Sequence, residues 1–112
     1  MALPPTWVQL VRHLVGAGGT LPGLRYVTSS GGVVPEPVLG VMPAVFPAAR
    51  IFLTYGLTEG FRTMVLPPEW FERKRGSMGR PTRNVEVFVV NERGLCVPGE
   101  VGELVQRSSS VM

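Results

Sequence analysis

The chain has 112 residues, enough for one small domain, and its 45% hydrophobic content supplies apolar material for a core. Charged residues make up only 17% and the net charge is +3, a low charge fraction for a free-standing surface, so part of that surface is expected to be covered by more protein. A single cysteine excludes an internal disulfide and a cysteine-based metal site, and no apolar run approaches the ~20 residues of a membrane helix.

In chain order, Pro4-Pro5-Thr6 introduces Trp7, Leu10, Val11 and Leu14 at helical spacing, and proline suits the first turn of a helix. Gly16-Ala17-Gly18-Gly19 ends that helix; with Leu at position 21 it is not a dinucleotide fingerprint. Leu24 to Thr28 reads as a strand, followed by Ser29-Ser30-Gly31-Gly32 as a loop. Glu36 to Phe46 reads as a helix that Pro43 should kink or shorten. Arg50 to Leu53 is the next strand, and TYGLTEG, residues 54–60, follows it as a second glycine-containing loop.

Helix, strand, loop, helix, strand, loop is a βαβ unit with a helix in front, which places the chain in the α/β class with a parallel sheet layer. Ligands in such sheets sit in the crevice beyond the carboxyl ends of the strands. Both loops, 29–34 and 54–60, lie at carboxyl ends and would face one crevice if the strands are adjacent.

Residues 61–84 read as an irregular connecting loop. Arg62, Arg73, Lys74, Arg75, Arg80 and Arg83 crowd this stretch, but Glu69 and Glu72 are interleaved. That mixture points to a solvated loop or short helix and not to a nucleic-acid face. Val85 to Val90 is a continuous β-type run, Asn91-Glu92-Arg93-Gly94 a turn, and Leu95-Cys96-Val97 a segment that could pair back. Pro98 to Gly102 turns again and Glu103 to Arg107 is a last short strand, giving an antiparallel meander over 85–107. Cys96, flanked by Leu95 and Val97, reads as a buried inert thiol, His13 as a partly exposed helix residue, and Ser108-Ser109-Ser110 as a frayed end. The N-terminus lacks the basic region and uninterrupted apolar core of a signal peptide, so a cytoplasmic location is the expectation.

Four segments carry a resemblance, in order and at consistent spacing. TYGLTEG resembles the YGxTE motif of the adenylate-forming (AMP-binding) enzymes, the superfamily of acyl-CoA synthetases, luciferases and peptide-synthetase adenylation domains. Leu24-Arg25…Ser30-Gly31-Gly32 resembles the LRxxxSGG loop upstream of it, GSMGRPTRNVEVFVVNERG resembles GSVGxPxPGxxxxIVDxxG, and VPGEVGELVQR resembles PPGExGELxxR. By this resemblance residues 1–112 are an internal fragment of the large AMP-binding domain, with the nucleotide loops in 1–60.

The resemblance implies roles for particular residues. Tyr55 would lie against the adenine ring, with Gly31, Gly32 and Val33 on the other side and Gly32 bordering the acyl pocket. Thr54, Gly56 and Leu57 belong to the same nucleotide-binding motif. Thr58 would hydrogen-bond the α-phosphate and Glu59 would bind Mg²⁺, which makes these two the catalytic candidates. The parent would activate a carboxylic acid with ATP as an acyl-adenylate and pass the acyl group to a thiol, coenzyme A or a carrier protein. The sequence departs from the pattern at Val33, where the family usually has Ala, and at Thr82-Arg83-Asn84, which lacks the usual Pro-Gly. A plain strand-end turn at 54–60 is the alternative reading of those residues alone.

The family's upstream phosphate loop with its lysine, its ribose-binding aspartate and its C-terminal catalytic lysine have no counterpart here, and the chain contains no Asp. Lys74, the sole lysine, matches neither family lysine. The rival expectation for the isolated chain is therefore a non-catalytic remnant that binds nucleotide weakly or serves as an interaction module. The isolated chain is expected to release no pyrophosphate above background with ATP, Mg²⁺ and a panel of carboxylic acids. A signal that Glu59→Gln abolished would refute this.

Overall fold

The computed structural model describes residues 1–60 and 62–109. Ser110, at the end of the expected frayed serine run, lies outside these.

Helix α1 spans Pro4–Gly16, opened by its two prolines and burying Trp7 and Val11. After it come strand β1, Tyr26–Ser29, helix α2, Glu36–Val45, and strand β2, Arg50–Tyr55. β1 and β2 pair in parallel, with Val27 opposite Ile51 and Ser29 opposite Leu53. The βαβ unit is therefore present. Pro43 lies inside α2, which buries Val38, Leu39, Met42 and Val45 along one face. The missing Pro43 N–H falls near the end of the helix, and Phe46 N–H still closes the last turn on the Met42 carbonyl at 2.8 Å.

The core lies between these helices and the parallel pair. Trp7, Val27, Leu39, Met42, Phe46 and Ile51 are buried in one cluster with Phe71. Trp7 meets Phe46 edge-to-face, ring centroids 5.8 Å apart and planes at 71°, an arrangement aromatic quadrupoles favour.

Three expectations are corrected. Residues 61–84 are not an irregular loop. They contain strand β3, Met64–Leu66, a 3-10 turn at Pro68–Trp70, a one-turn helix α3, Phe71–Lys74, and strand β4, Arg80–Pro81. β3 runs antiparallel to β2 and β4 antiparallel to β3, giving a sheet of order β1-β2-β3-β4. Second, β2 continues to Tyr55, because Thr54 pairs with Val65 and Tyr55 with Met64. Third, the C-terminal strands are not a meander. β5, Val85–Asn91, is central, with β6, Gly94–Leu95, on one edge and β7, Glu103–Ser108, on the other. A turn in which Val97 N–H donates to Glu100 Oε2 and Glu100 N–H to the Val97 carbonyl carries the chain from one edge toward the other.

Since β6 is a two-residue edge strand, Cys96 is only half-buried, and Leu95 and Val97 are 71% and 63% exposed. His13 is exposed. On the open face of the small sheet Glu86 of β5 pairs with Arg107 of β7. The hydrogen bond and charge of the Arg107 guanidinium hold the Glu86 carboxyl below its ordinary range. A depressed folded pKa means this contribution is present above the ordinary glutamate range and is lost as pH falls through the lowered value. The pair is largely exposed to solvent, which keeps it small.

No helix among the described residues is long and apolar enough to cross a membrane.

Phe46, 1% exposed, anchors the contact between the helices and the sheet. Phe46→Ala should destabilise the chain by about 3–5 kcal/mol in equilibrium urea unfolding. Val33→Ala, at a position 89% exposed, should stay within about 0.5 kcal/mol.

Candidate functional site

Parallel pairing sets the carboxyl ends of β1 and β2 side by side, with Ser29 and Tyr55 as their last residues. Thr54 Oγ1 donates a hydrogen bond to the Ser29 carbonyl at 2.9 Å and ties the two ends together. Beyond them opens a cavity of about 480 Å³. The loop after β1 contributes Gly31, Gly32 and Val33 to its wall, and the end of β2 contributes Thr54, Tyr55 and Gly56. Leu39 of α2, Leu53 and Met78 supply apolar wall.

The two loops expected to share one crevice do so. The expected site residues divide, however. Leu57, Thr58 and Glu59 are exposed and lie outside the cavity wall. They form a small loop past the end of β2, closed by two backbone hydrogen bonds. Leu57 N–H donates to the Gly60 carbonyl at 3.1 Å and Gly60 N–H returns to the Leu57 carbonyl at 3.2 Å. The chain thus offers a semi-enclosed apolar recess beside an exposed hydroxyl and carboxylate.

Backbone geometry and packing both call for glycine at position 31. Its φ is +78°, and a Cβ there would come within 2.8 Å of Leu3 Cδ2. The start of α1 presses on this loop, and Val34, 4% exposed, pins its exit in the core.

Ser29, Arg75 and Met78 are among the wall residues that the sequence did not single out. Ser29 lines the cavity, is 3% exposed, and its buried hydroxyl has no hydrogen-bond partner among the described residues. Read as a loop residue, it is the last residue of β1. Arg75 also lines the cavity and is held by Glu72 at 2.9 Å and Glu36 at 3.4 Å, its guanidinium 5.9 Å from the centre of the Phe71 ring. Nothing in the sequence separated Arg75 from the other basic residues of its stretch. Met78 sits in the matched GSMG segment, so its motif was visible, but no site role followed from it.

The profile of the AMP-binding enzyme family matches residues 1–112. Among curated proteins, the 2-succinylbenzoate–CoA ligase of Bacillus velezensis is 35% identical over 91 residues, which is 80% of this chain and 18% of the ligase. Among solved structures, o-succinylbenzoate CoA synthetase (MenE) from Bacillus subtilis superposes in two complexes. With the acyl-adenylate intermediate OSB-AMP the TM-score is 0.85, and with ATP and magnesium ion it is 0.83. Each superposition has 26% identity and covers 99% of this chain and 22% of that one. The chain spans under a fifth of the length of the 2-succinylbenzoate–CoA ligases it matches in Bacillus velezensis and Bacillus subtilis.

The Thr54–Ser29 bond joins the two walls of the cavity, so its loss has a measurable consequence. Thr54→Val, which keeps shape and strand preference, should cost about 0.5–1.5 kcal/mol of stability, read by urea unfolding. No loss at all would mean that strand pairing alone holds the two ends together.

Proposed function

The chain belongs to the AMP-binding enzyme family, and on that premise we propose that it forms the nucleotide and acyl crevice of an ATP-dependent acid–thiol ligase. The parent reaction joins a carboxylic acid to the α-phosphate of ATP, releases pyrophosphate, and passes the acyl group from AMP to a thiol such as coenzyme A. The observation that carries this reading is the meeting of Gly31–Val33 with Thr54–Gly56 at one cavity beyond two parallel strands.

The residues present fit an adenine nucleotide. Tyr55 offers an aromatic face at the cavity wall, on which a base can stack. The exposed backbone around Gly31 and Gly32 allows close approach on the opposite side. Leu39, Leu53 and Met78 offer an apolar surface to the acyl part and limit water there.

The donor set outside the cavity fits a hard cation that shares its ligands with substrate. Among the described residues no three His, Cys, Asp or Glu side chains cluster as a metal cage. Mg²⁺ is commonly held by one or two carboxylates plus phosphates and waters, and Glu59 with the neighbouring Thr58 hydroxyl supplies oxygen donors of that kind. Bound there, Mg²⁺ would neutralise charge that builds up on the phosphates. Thr58 donates a hydrogen bond to the α-phosphate, and Glu59 contributes its charge without being part of the core.

A graded series tests this in a full-length enzyme containing residues 1–112. Glu59→Gln should lower the adenylation rate by about 10²–10³ with thermal unfolding unchanged. Tyr55→Ala should weaken nucleotide binding by about 1–3 kcal/mol, and Tyr55→Phe much less, since the ring supplies the stacking face. A folded Glu59→Gln enzyme within about threefold of the parent rate would place less than ~1 kcal/mol on that carboxylate, and the metal role would be wrong.

A further inference from the structure

The loop that carries Thr58 and Glu59 is exposed, and its own two backbone bonds do not say where it points. Its last residue, Gly60, is buried. Thr63, 2% exposed and just ahead of β3, donates its hydroxyl to the Gly60 carbonyl at 2.8 Å. The same hydroxyl also donates toward the side-chain oxygen of Gln106, from β7 of the other sheet, so its single hydrogen is shared between the two acceptors. The Gln106 amide also lies directly over the Gly60 α-carbon: a Cβ built there would fall 1.9 Å from Gln106 Nε2.

Gln106 stands at an unusual place for an amide. β7 alternates, with Leu104, Gln106 and Ser108 half-buried and Glu103, Val105 and Arg107 exposed. Gln106 is opposite Val87 and follows Leu104, itself opposite Val89, on the inward face. A polar group on such a face is unfavourable unless it is paired, and its pairing is with Thr63. A valine there would suit the strand equally well. The amide therefore serves the contact across the sheets and not the packing of its own.

We propose that Gln106 is a positioning residue: acting through Thr63 and Gly60, it holds the 57–60 loop so that Thr58 and Glu59 face the phosphates and metal. This rests on the role given to Glu59 above. It makes the small C-terminal sheet a support of the site although it contributes nothing to the cavity wall.

The test uses a full-length enzyme containing residues 1–112, with Q106V as the main variant. Q106V keeps a strand-forming residue opposite Val87 and removes the amide. Amide hydrogen exchange at Leu57 and Gly60 should speed up by about tenfold, since their protection depends on local opening. The magnesium concentration for half-maximal adenylation should rise by about threefold or more, while the KM for the acid and the thermal midpoint stay put. G60A, whose methyl must push the amide aside, should reproduce both changes with the sequence of β7 intact.

Exchange at Leu57 and Gly60 within about twofold of the parent in folded Q106V and G60A overturns the proposal. A loosened loop with an unchanged magnesium requirement overturns it too, provided E59Q shows that requirement to depend on Glu59. If E59Q leaves the magnesium response untouched, the metal reading has failed, and the exchange result alone decides the role of Gln106.

Discussion

The hydrogen bond from Thr54 to the Ser29 carbonyl closes the carboxyl edge of the parallel pair, and the site depends on that edge. Parallel strands cannot be joined by a tight turn; the chain needs a crossover, and α2 provides it. The crossover leaves both glycine-containing segments at the same end of the sheet. A one-residue slip of β2 against β1 would turn Thr54 to the other face of the sheet. The register Val27↔Ile51 is what sends the side chains of the edge to one crevice.

That register is enforced from below. Val27, Ile51, Leu39 and Met42 are all buried at 4% exposure or less, so a slip would move apolar side chains out of the core. The loop after β1 obeys the same constraint over two residues: Val34 is held in the core and Val33, next to it, is 89% exposed at the cavity rim. The core therefore fixes where the loop leaves the sheet, while the rim residue is free of packing demands. A bulkier residue than the family's usual alanine can stand at Val33 without strain in the fold, and its consequence falls on whatever occupies the cavity.

The site has two physical characters. The recess between the loops is lined mainly by glycine backbone and apolar side chains. The 57–60 loop beside it is polar, exposed and tied down at one end through Thr63 and Gln106. Elements with few buried apolar contacts sit at the low-stability end of a structure, so a loop of this kind keeps its direction only through specific bonds. Arg75 gives the opposite wall a comparable tie, linking the start of α2 to α3 through Glu36 and Glu72.

Helices α1 and α2 were legible from helical spacing and proline placement, and β1 and β2 from short β-type runs bounded by glycine. Their alternation was enough for the α/β class and for both loops at carboxyl ends, because these signals lie within a few residues of one another. The family followed from four ordered motifs. What the sequence left open was every pairing made at a distance. β3 and β4 are strands of three and two residues, too short to show a period, and exist through their partners across the sheet. Tyr55 reads as loop until Met64 pairs with it. The edge of β5 taken by β7 depends on how the 97–100 turn directs the chain. The wall roles of Ser29 and Arg75, and the exclusion of Thr58 and Glu59 from the cavity, are likewise tertiary. Local propensity decides which elements form; which side chains meet is decided by non-local contacts, and a single chain of letters does not carry those.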